Sequence, residues 1–227
     1  MATASMRTKL AAGLAIVVLA GSLAACSNEE VAFEAKTYTP EEGVRVTGID
    51  VQVADRAITV VSSEDGRFHI DYAESPEEFY DVFVSDDGVL TMALRTDKDW
   101  EDYVGVSDYD GADQITVRVP DVALATLSLS TTREDISLCP LDVTERLSLS
   151  NNGGDISFEN AGDADSIEVE NKNGNIEGTI AGSYDDYSIE SSIKKGDSNL
   201  PEQKDGGAKA LVVANNNGNI DVELAAE

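Results

Sequence analysis

The sequence predicts an all-β protein of short stacked strands, and three observations carry this prediction. Apolar and polar residues alternate from Val44 to Leu94 and again from Ile115 to Val119, and a period of two is typical of strands with one buried face. Turn sequences such as Glu-Asp-Gly and Asp-Asp-Gly separate some of these runs. The third observation is a short unit that is repeated along the C-terminal half.

Each copy of the unit opens with two apolar residues separated by one residue. A turn at Gly followed by Asp or Asn comes next, and an Ile follows the turn directly. The clear copies read LSLSTTREDISL, LSLSNNGGDISF, IEVENKNGNIEG and LVVANNNGNIDVEL, and a weaker copy opens at Ile189. Their openers are spaced 20, 20, 22 and 22 residues apart. Glycine suits such a turn because it adopts positive φ freely, and the turn glycines are Gly154, Gly174, Gly196 and Gly218. Two copies depart from the pattern, at Glu134 and Ser198.

Two arrangements fit this repeat. In a β-solenoid, coils of about 20–22 residues stack so that each strand pairs with its equivalent in the next coil and corner asparagines hydrogen-bond between coils. In a sandwich of hairpins, Leu149 would instead pair with Ile156 across the Asn-Asn-Gly-Gly loop. The constant period favours the solenoid, because hairpin loops need not match one another.

The N-terminus has the pattern of an export signal. Arg7 and Lys9 precede an apolar run from Leu10 to Leu23, which predicts a signal-peptide helix over residues 1–25. The run ends in Leu-Ala-Ala-Cys26, which resembles the lipobox of bacterial lipoproteins. That resemblance implies cleavage before Cys26 and a lipid on its sulfur; an ordinary signal peptide with a chance cysteine is the alternative. We therefore expect residues 26–42 to be a lipidated N-terminus and acidic linker, and residues 43–227 to be the all-β domain.

The charge balance restricts the partners. The chain has 16 Lys+Arg against 44 Asp+Glu, a formal net charge of −28. Nucleic-acid binding needs a basic surface that neutralises phosphates, so we expect no nucleic-acid partner. The same charge disfavours docking of the domain on anionic lipid, and the expected membrane contact is therefore the lipid on Cys26 alone.

Several stretches together resemble the bacterial "putative adhesin" family, a domain of unknown function. They are VTGIDVQVADRAITVV, DDGVLTMAL, ITVRVPDVALATLSLSTT and the Gly-Asp/Asn-Ile repeats, which together span about residues 44–222. The resemblance implies an all-β, β-helix-like domain that is exposed outside the cytoplasmic membrane and often tethered to it. It implies no catalytic residues.

The residues that could perform nucleophilic chemistry are few. The single histidine, His69, alternates with Phe68 and Ile70 and is expected to be an exposed strand residue. Cys139 has no partner if Cys26 is acylated, and it is expected to be a small buried hydrophobe. Carboxylates that converge across stacked coils, with or without a basic residue or calcium, would instead suit a polysaccharide lyase or hydrolase.

The longest loop, residues 95–114, carries two further candidate sites. Asp108, Asp110 and Asp113 surround a glycine as in part of a calcium loop, although the bidentate Glu of an EF-hand is missing at the required spacing. Trp100, Tyr103 and Tyr109 could stack on a sugar or anchor a protein partner. They could equally pack back on the stack and cap its end.

These observations predict a lipid-anchored binding or structural module, adhesin-like, on the extracytoplasmic face of a bacterial cell membrane. The expected partner is an envelope protein or a cell-wall glycan, and no cofactor is expected unless calcium binds. Two alternatives remain, an envelope sensor or accessory lipoprotein and a polysaccharide-active β-helix enzyme.

Overall fold

The computed structural model describes residues 33–96 and 114–225. These residues are all-β apart from one 3-10 turn at Tyr184–Asp186, which Ser183 caps. The strands are β1 (Glu34–Tyr38), β2 (Gly48–Gln52), β3 (Ala57–Ser62), β4 (His69–Glu74), β5 (Glu78–Val84), β6 (Val89–Thr96), β7 (Gln114–Val119), β8 (Leu124–Thr131), β9 (Ile136–Leu138), β10 (Val143–Asn151), β11 (Ile156–Phe158), β12 (Ser166–Asn173), β13 (Ile176–Ala181), β14 (Tyr187–Lys195), β15 (Gln203–Lys204), β16 (Lys209–Asn217) and β17 (Ile220–Ala225).

The strands form two open, mixed sheets. Sheet 1 has the order β1-β4-β7-β3-β9-β11-β13-β17, and sheet 2 has the order β15-β14-β16-β12-β10-β8-β2-β6-β5. The central pairs are parallel, for example β8 with β10 and β9 with β11. The outer strands β1, β4, β5 and β15 pair antiparallel. All-β is therefore the fold class, as the alternation predicts.

The two strands of one repeat lie in different sheets. Leu149 aligns with Leu129 on one side and with Val169 on the other, all in sheet 2. Ile156 aligns with its counterparts in the neighbouring repeats, in sheet 1. Leu149 and Ile156 are therefore not hairpin partners, and the hairpin alternative is wrong.

The spatial order of the repeats differs from their order in the sequence. β16 pairs with β12 on one side and with β14 on the other. The copy that opens at Leu211 therefore lies between the copies that open at Ile167 and Ile189. Along the chain, β14 therefore precedes β16, which lies in the gap between β12 and β14. The solenoid interpretation predicts that successive copies are neighbours, which holds only as far as β12.

Two further layers lie in the N-terminal half, where the sequence shows no clear repeat. Ile49 and Leu90 align with each other, and Ile49 also aligns with the opener Leu127. In sheet 1, Ile58 aligns with Ile136. Ile58 follows Ile49 at the same distance of nine residues that separates opener from Ile in the repeats. The antiparallel strands β4 and β5 interrupt the period and hide the relationship.

The core lies between the two sheets and continues through every layer. The aligned openers are nearly inaccessible to solvent, and so are the aligned isoleucines of sheet 1. Each such side chain contributes about 1.5–3 kcal/mol through burial. Where Phe158 fills the interior, its partner in the next layer is Gly178, and any side chain at Gly178 would overlap the phenyl ring.

β1 belongs to the folded domain and not to a linker. It pairs with β4 along its whole length. Two of its side chains also contact β4. Lys36 forms an ion pair with Glu74, and Thr37 donates a 2.6 Å hydrogen bond to Asp71. The expected boundary at residue 43 is therefore too late, because the exposed, acidic sequence of an edge strand resembles that of a linker.

Aromatic residues close the end of the stack that carries β1 and β5. Tyr72 of β4 and Tyr80 of β5 pack edge to face with ring centroids 5.5 Å apart. Tyr38 and Phe68 pack against the same core. Burial raises the pKa of Tyr80 well above its usual range, as expected for a phenol held away from water. Among the described residues, none forms a helix long and apolar enough to cross a membrane.

Candidate functional site: the corner row and the groove opposite

The turns between the sheet 2 and sheet 1 strands of each layer form one row, which we call the corner row. It contains residues 53–56, 132–135, 152–155, 174–175, 196–197 and 218–219. Gly174 and Gly218 have φ of 119° and 128°, a region that side chains rarely adopt. A Cβ on Gly174 would overlap the carbonyl of Gly154, and one on Gly218 would overlap the carbonyl of Gly174. These glycines are therefore required both by their φ and by the approach of the next layer.

A ladder of buried side chains runs beneath the corner row. Its members are Thr131, Asn151, Asn171 and Asn215, which are aligned and nearly inaccessible. Each donates a hydrogen bond to a corner carbonyl of the adjacent layer. The donor–acceptor pairs are Thr131 to Arg56 (2.7 Å), Asn151 to Glu134 (2.8 Å), Asn171 to Gly154 (2.9 Å) and Asn215 to Gly174 (2.9 Å).

A second ladder runs along the outside of the corners. At four corners, one side-chain oxygen of the Asp or Asn accepts a hydrogen bond from the backbone N–H of the equivalent residue in the next layer. The acceptor–donor pairs are Asp135–Asp155 (2.7 Å), Asp155–Asn175 (2.7 Å), Asn175–Asn219 (2.9 Å) and Asn219–Asp197 (3.0 Å). The repeated Asp or Asn therefore pairs a backbone donor that the turn would otherwise leave unsatisfied.

A buried ion pair lies next to the last pair of the inner ladder, at the β1 end of the corner row. The side chain of Arg56 is 7% exposed and pairs with Glu78, and it donates a 2.8 Å hydrogen bond to the carbonyl of Asp55. The Phe33 ring lies 5.7 Å from the guanidinium carbon. A buried arginine needs such partners to offset its desolvation. The sequence indicated no special role for Arg56 or Glu78.

His69 is held on both ring nitrogens and is not an exposed strand residue. Its Nδ1 lies 2.7 Å from Oγ1 of Thr39, and its Nε2 lies 2.9 Å from Asp65. The hydrogen bonds from His69, Ser63 and the Arg67 N–H lower the pKa of Asp65 to about 2. The arrangement fastens the end of β1 to the loop after β3. The alternation correctly gave the side of the strand but could not show the two partners.

The edge opposite the corner row contains a groove of about 440 Å³. We call it the loop groove, since connections that follow β3, β7, β9 and β11 line it. Its polar lining includes Ser62, Asp121, Asp142 and Asn160, and its apolar lining includes Pro120 and Leu141. Val122 at its rim is 45% exposed. The groove therefore offers carboxylates and hydroxyls beside apolar contacts.

Cys139 lines the loop groove and is only partly buried, contrary to the expectation of a buried hydrophobe. Its sulfur lies 3.9 Å from the hydroxyl of Ser62. The sequence Leu-Cys-Pro-Leu resembles a core segment, but the side chain follows the last residue of β9 and so falls outside the sheet.

The carboxylate of Asp163 in the same groove is already paired. Lys209 forms an ion pair with it and donates a 3.0 Å hydrogen bond to its main-chain carbonyl. Burial and the charge of Asp163 raise the pKa of Tyr187 well above its usual range. Lys209 therefore joins β16 to the loop before β12, which is a structural task. Within residues 33–96 and 114–225, no cluster of three or more His, Cys, Asp or Glu side chains is arranged to hold a metal ion.

Several predicted sites fall outside the described residues. These are the signal peptide, the lipidation site Cys26, the aromatic candidates Trp100, Tyr103 and Tyr109, and the calcium candidates Asp108, Asp110 and Asp113. The four turn glycines lie within the described part, and all of them have positive φ in the corner row.

Comparison with known proteins gives the fold. A "putative cell adhesion protein" of Clostridium sporogenes superposes with a TM-score of 0.61 at 12% identity, over 86% of this chain and 100% of that one. A "putative adhesin" of Bacteroides fragilis gives 0.33 at 13% identity, over 84% and 97% of the two chains. One of Parabacteroides distasonis gives 0.25 at 13% identity, over 86% and 98%. No family model and no curated protein matches the chain. The chain shares the fold of the clostridial protein.

Proposed function

We propose that the protein is a lipid-anchored, extracytoplasmic binding or structural module with an adhesin-like role and no enzymatic activity. Its domain would be a β-solenoid of 20–22-residue coils whose spatial order is exchanged at Leu211. The signal pattern before Cys26 supports the anchor, and the fold shared with a "putative cell adhesion protein" supports the role. An envelope sensor or accessory lipoprotein is the alternative.

The observation that carries the proposal is the position of the loop groove relative to the start of the domain. Phe33 lies beside Arg56, in the corner row. β1 then runs to Tyr38, and the next residue, Thr39, contacts His69. The other partner of His69 is Asp65, which accepts a hydrogen bond from Ser63 in the groove lining. An anchor attached before Phe33 therefore joins the domain at the corner row and leaves the opposite edge accessible. The loop groove is the partner site in this proposal.

The partner is an envelope protein or a cell-wall glycan. The serine hydroxyls and the carboxylate of Asp142 can hydrogen-bond the polar groups of either partner, while Leu141 and Val122 provide apolar contact area. The net charge of −28 disfavours an anionic partner. The corner row is less suited to a partner because its polar groups already bond between layers.

Two measurements test the proposal separately. Incorporation of labelled palmitate, with loss of both label and membrane association in Cys26→Ser, tests the anchor; label retained in that variant would refute it. Photo-crosslinking on intact cells tests the partner site, with the photoreactive residue at Asp142 in the groove or at Glu190 on the outer face of β14. We expect adducts from position 142 and none from 190. Protease or muramidase digestion of the adduct then distinguishes a protein from a glycan. Equal capture at both positions would refute the groove.

A further inference from the structure

Three Asn-Gly pairs lie at or beside the corner row: Asn152-Gly153, Asn173-Gly174 and Asn217-Gly218. An asparagine that is followed by glycine can deamidate through an intramolecular reaction. The glycine nitrogen attacks the side-chain carbonyl carbon of the asparagine, a C–N bond forms, and the side-chain amide leaves as ammonia. Water then opens the resulting succinimide to aspartate or isoaspartate. The reaction needs a glycine N–H and an asparagine amide that can both leave their hydrogen bonds.

In the second and third pairs, both the asparagine amide and the glycine N–H are held by hydrogen bonds. Asn173 donates a 2.9 Å hydrogen bond to the carbonyl of Asn152 and accepts one of 2.9 Å from Asn217. The Gly174 N–H donates to the carbonyl of Asn217 at 2.9 Å, and the Gly218 N–H donates to that of Lys195 at 3.0 Å. These bonds join different layers, so attack at either site requires the layers to separate locally.

The first pair occupies a different position in the repeat. Asn152 is the fifth residue after its opener, whereas Asn173 and Asn217 are the sixth after theirs. β10 ends at Asn151, so Asn152 lies beyond the strand, while Asn173 and Asn217 are the last residues of β12 and β16. The side chain of Asn152 is exposed and has no hydrogen-bond partner among the described residues. The Gly153 N–H donates only within its own turn, to the Asn151 side chain at 3.1 Å.

We propose that Asn152 is a site of spontaneous deamidation in the folded protein and that the layer-to-layer bonds protect Asn173 and Asn217. The residue that follows does not distinguish the three asparagines, since it is a glycine in each case. The shift of Asn152 by one position in the repeat places its side-chain amide beyond the strand, where it forms no hydrogen bond to another layer within the described residues. This inference does not depend on the proposed function.

The modification would alter the contact between two layers. The main-chain carbonyl of Asn152 accepts the hydrogen bond from Asn173. In isoaspartate the main chain runs through the former side chain, so it is longer by one methylene, and the original carbonyl becomes a carboxylate outside the main chain. The reaction also adds a negative charge close to Asp155. The hydrogen bond between the corners that follow β10 and β12 would therefore be displaced, and the corner after β10 would gain electrostatic repulsion.

Peptide mapping by mass spectrometry tests the proposal. The purified full-length protein is incubated at mildly alkaline pH, and deamidation is followed in the peptides that contain each pair, with an isoaspartate methyltransferase assay as a second readout. We expect Asn152 to react at least roughly tenfold faster than the other two sites, and Asn152→Gln to abolish the early signal.

The urea-unfolded protein is the control, since there the three sites should react at similar rates. Native Asn173 or Asn217 reacting as fast as Asn152 would overturn the proposal. So would a native Asn152 that stays intact while the unfolded protein deamidates.

Discussion

The side-chain nitrogen of Asn171 donates a 2.9 Å hydrogen bond to the carbonyl of Gly154, 17 residues earlier in the chain. Asn215 repeats this contact with Gly174, and Asn151 repeats it with Glu134. The glycine allows the chain to turn, and its carbonyl then points toward the next layer. The asparagine of that layer donates the hydrogen bond that this carbonyl needs. The corner row is therefore held by side chains that lie inside the stack.

Asn171→Ala should destabilise the protein by about 1–3 kcal/mol, because it leaves the carbonyl of Gly154 without its buried donor. The loss should lie toward the lower end, since the amide oxygen of Asn171 is itself buried without a partner. Urea unfolding measures the change. Asn152→Ala is the matched control and should cost less than about 0.5 kcal/mol. Equal losses of unfolding free energy in the two variants would mean that the buried ladder of Thr and Asn side chains does not stabilise the protein.

Gly174→Ala should prevent folding, whereas Gly206→Ala should be tolerated. Both glycines have positive φ, of 119° and 101°, so both variants carry a backbone penalty of about 1 kcal/mol. Only at Gly174 would the new methyl group overlap a neighbouring layer, while the space at Gly206 is open. Soluble yield and circular dichroism distinguish the two outcomes. Similar behaviour would show that φ alone, rather than close packing, requires the corner glycines.

Glu78→Gln should cost about 3 kcal/mol, because it leaves the buried guanidinium of Arg56 without its counter-charge. Asp81→Asn removes the same charge from the exposed pair with Arg95. It should cost less than about 1 kcal/mol, as surface pairs do. Thermal unfolding of the two variants at equal pH and salt makes the comparison. A smaller loss at Glu78 than at Asp81 would contradict the structural role of Arg56.

His69→Phe should raise the pKa of Asp65 from about 2 toward its ordinary value, since the hydrogen bond from His69 is the largest cause of the lowering. A carboxyl whose pKa is depressed by folding contributes stability above the unfolded pKa, and that stability is lost as the pH falls through the folded value. The wild-type protein should therefore lose this contribution between about pH 4 and pH 2, and the variant should lack most of it. NMR titration of the Asp65 carboxyl carbon gives the pKa directly. Ser63→Ala should raise the pKa of Asp65 by less than His69→Phe does. A larger rise in Ser63→Ala would show that Ser63, and not His69, is the main cause of the lowered pKa.

The sequence predicted the local features of the fold because local chemistry determines them. The period of two at Leu147 and Leu149 gave a strand with one buried face, and the glycines at 154 and 174 marked the turns. The candidate site was less predictable. The groove residues Ser62, Asp142 and Asn160 come from separate connections, and no local pattern indicates that these connections lie side by side.

The sequence by itself determined the repeated unit, its turn residues and its buried positions, since each depends on residues within one copy. Only the tertiary structure decided the order of the layers. The openers Ile167, Ile189 and Leu211 follow one another at an even spacing of 22 residues, yet Leu211 lies between the other two. Strand order depends on which edge is free to pair when the chain returns, and on the fit of Asn215 under the corner of Gly174. Both are contacts between segments distant in the chain, and even spacing along the sequence carries no information about them.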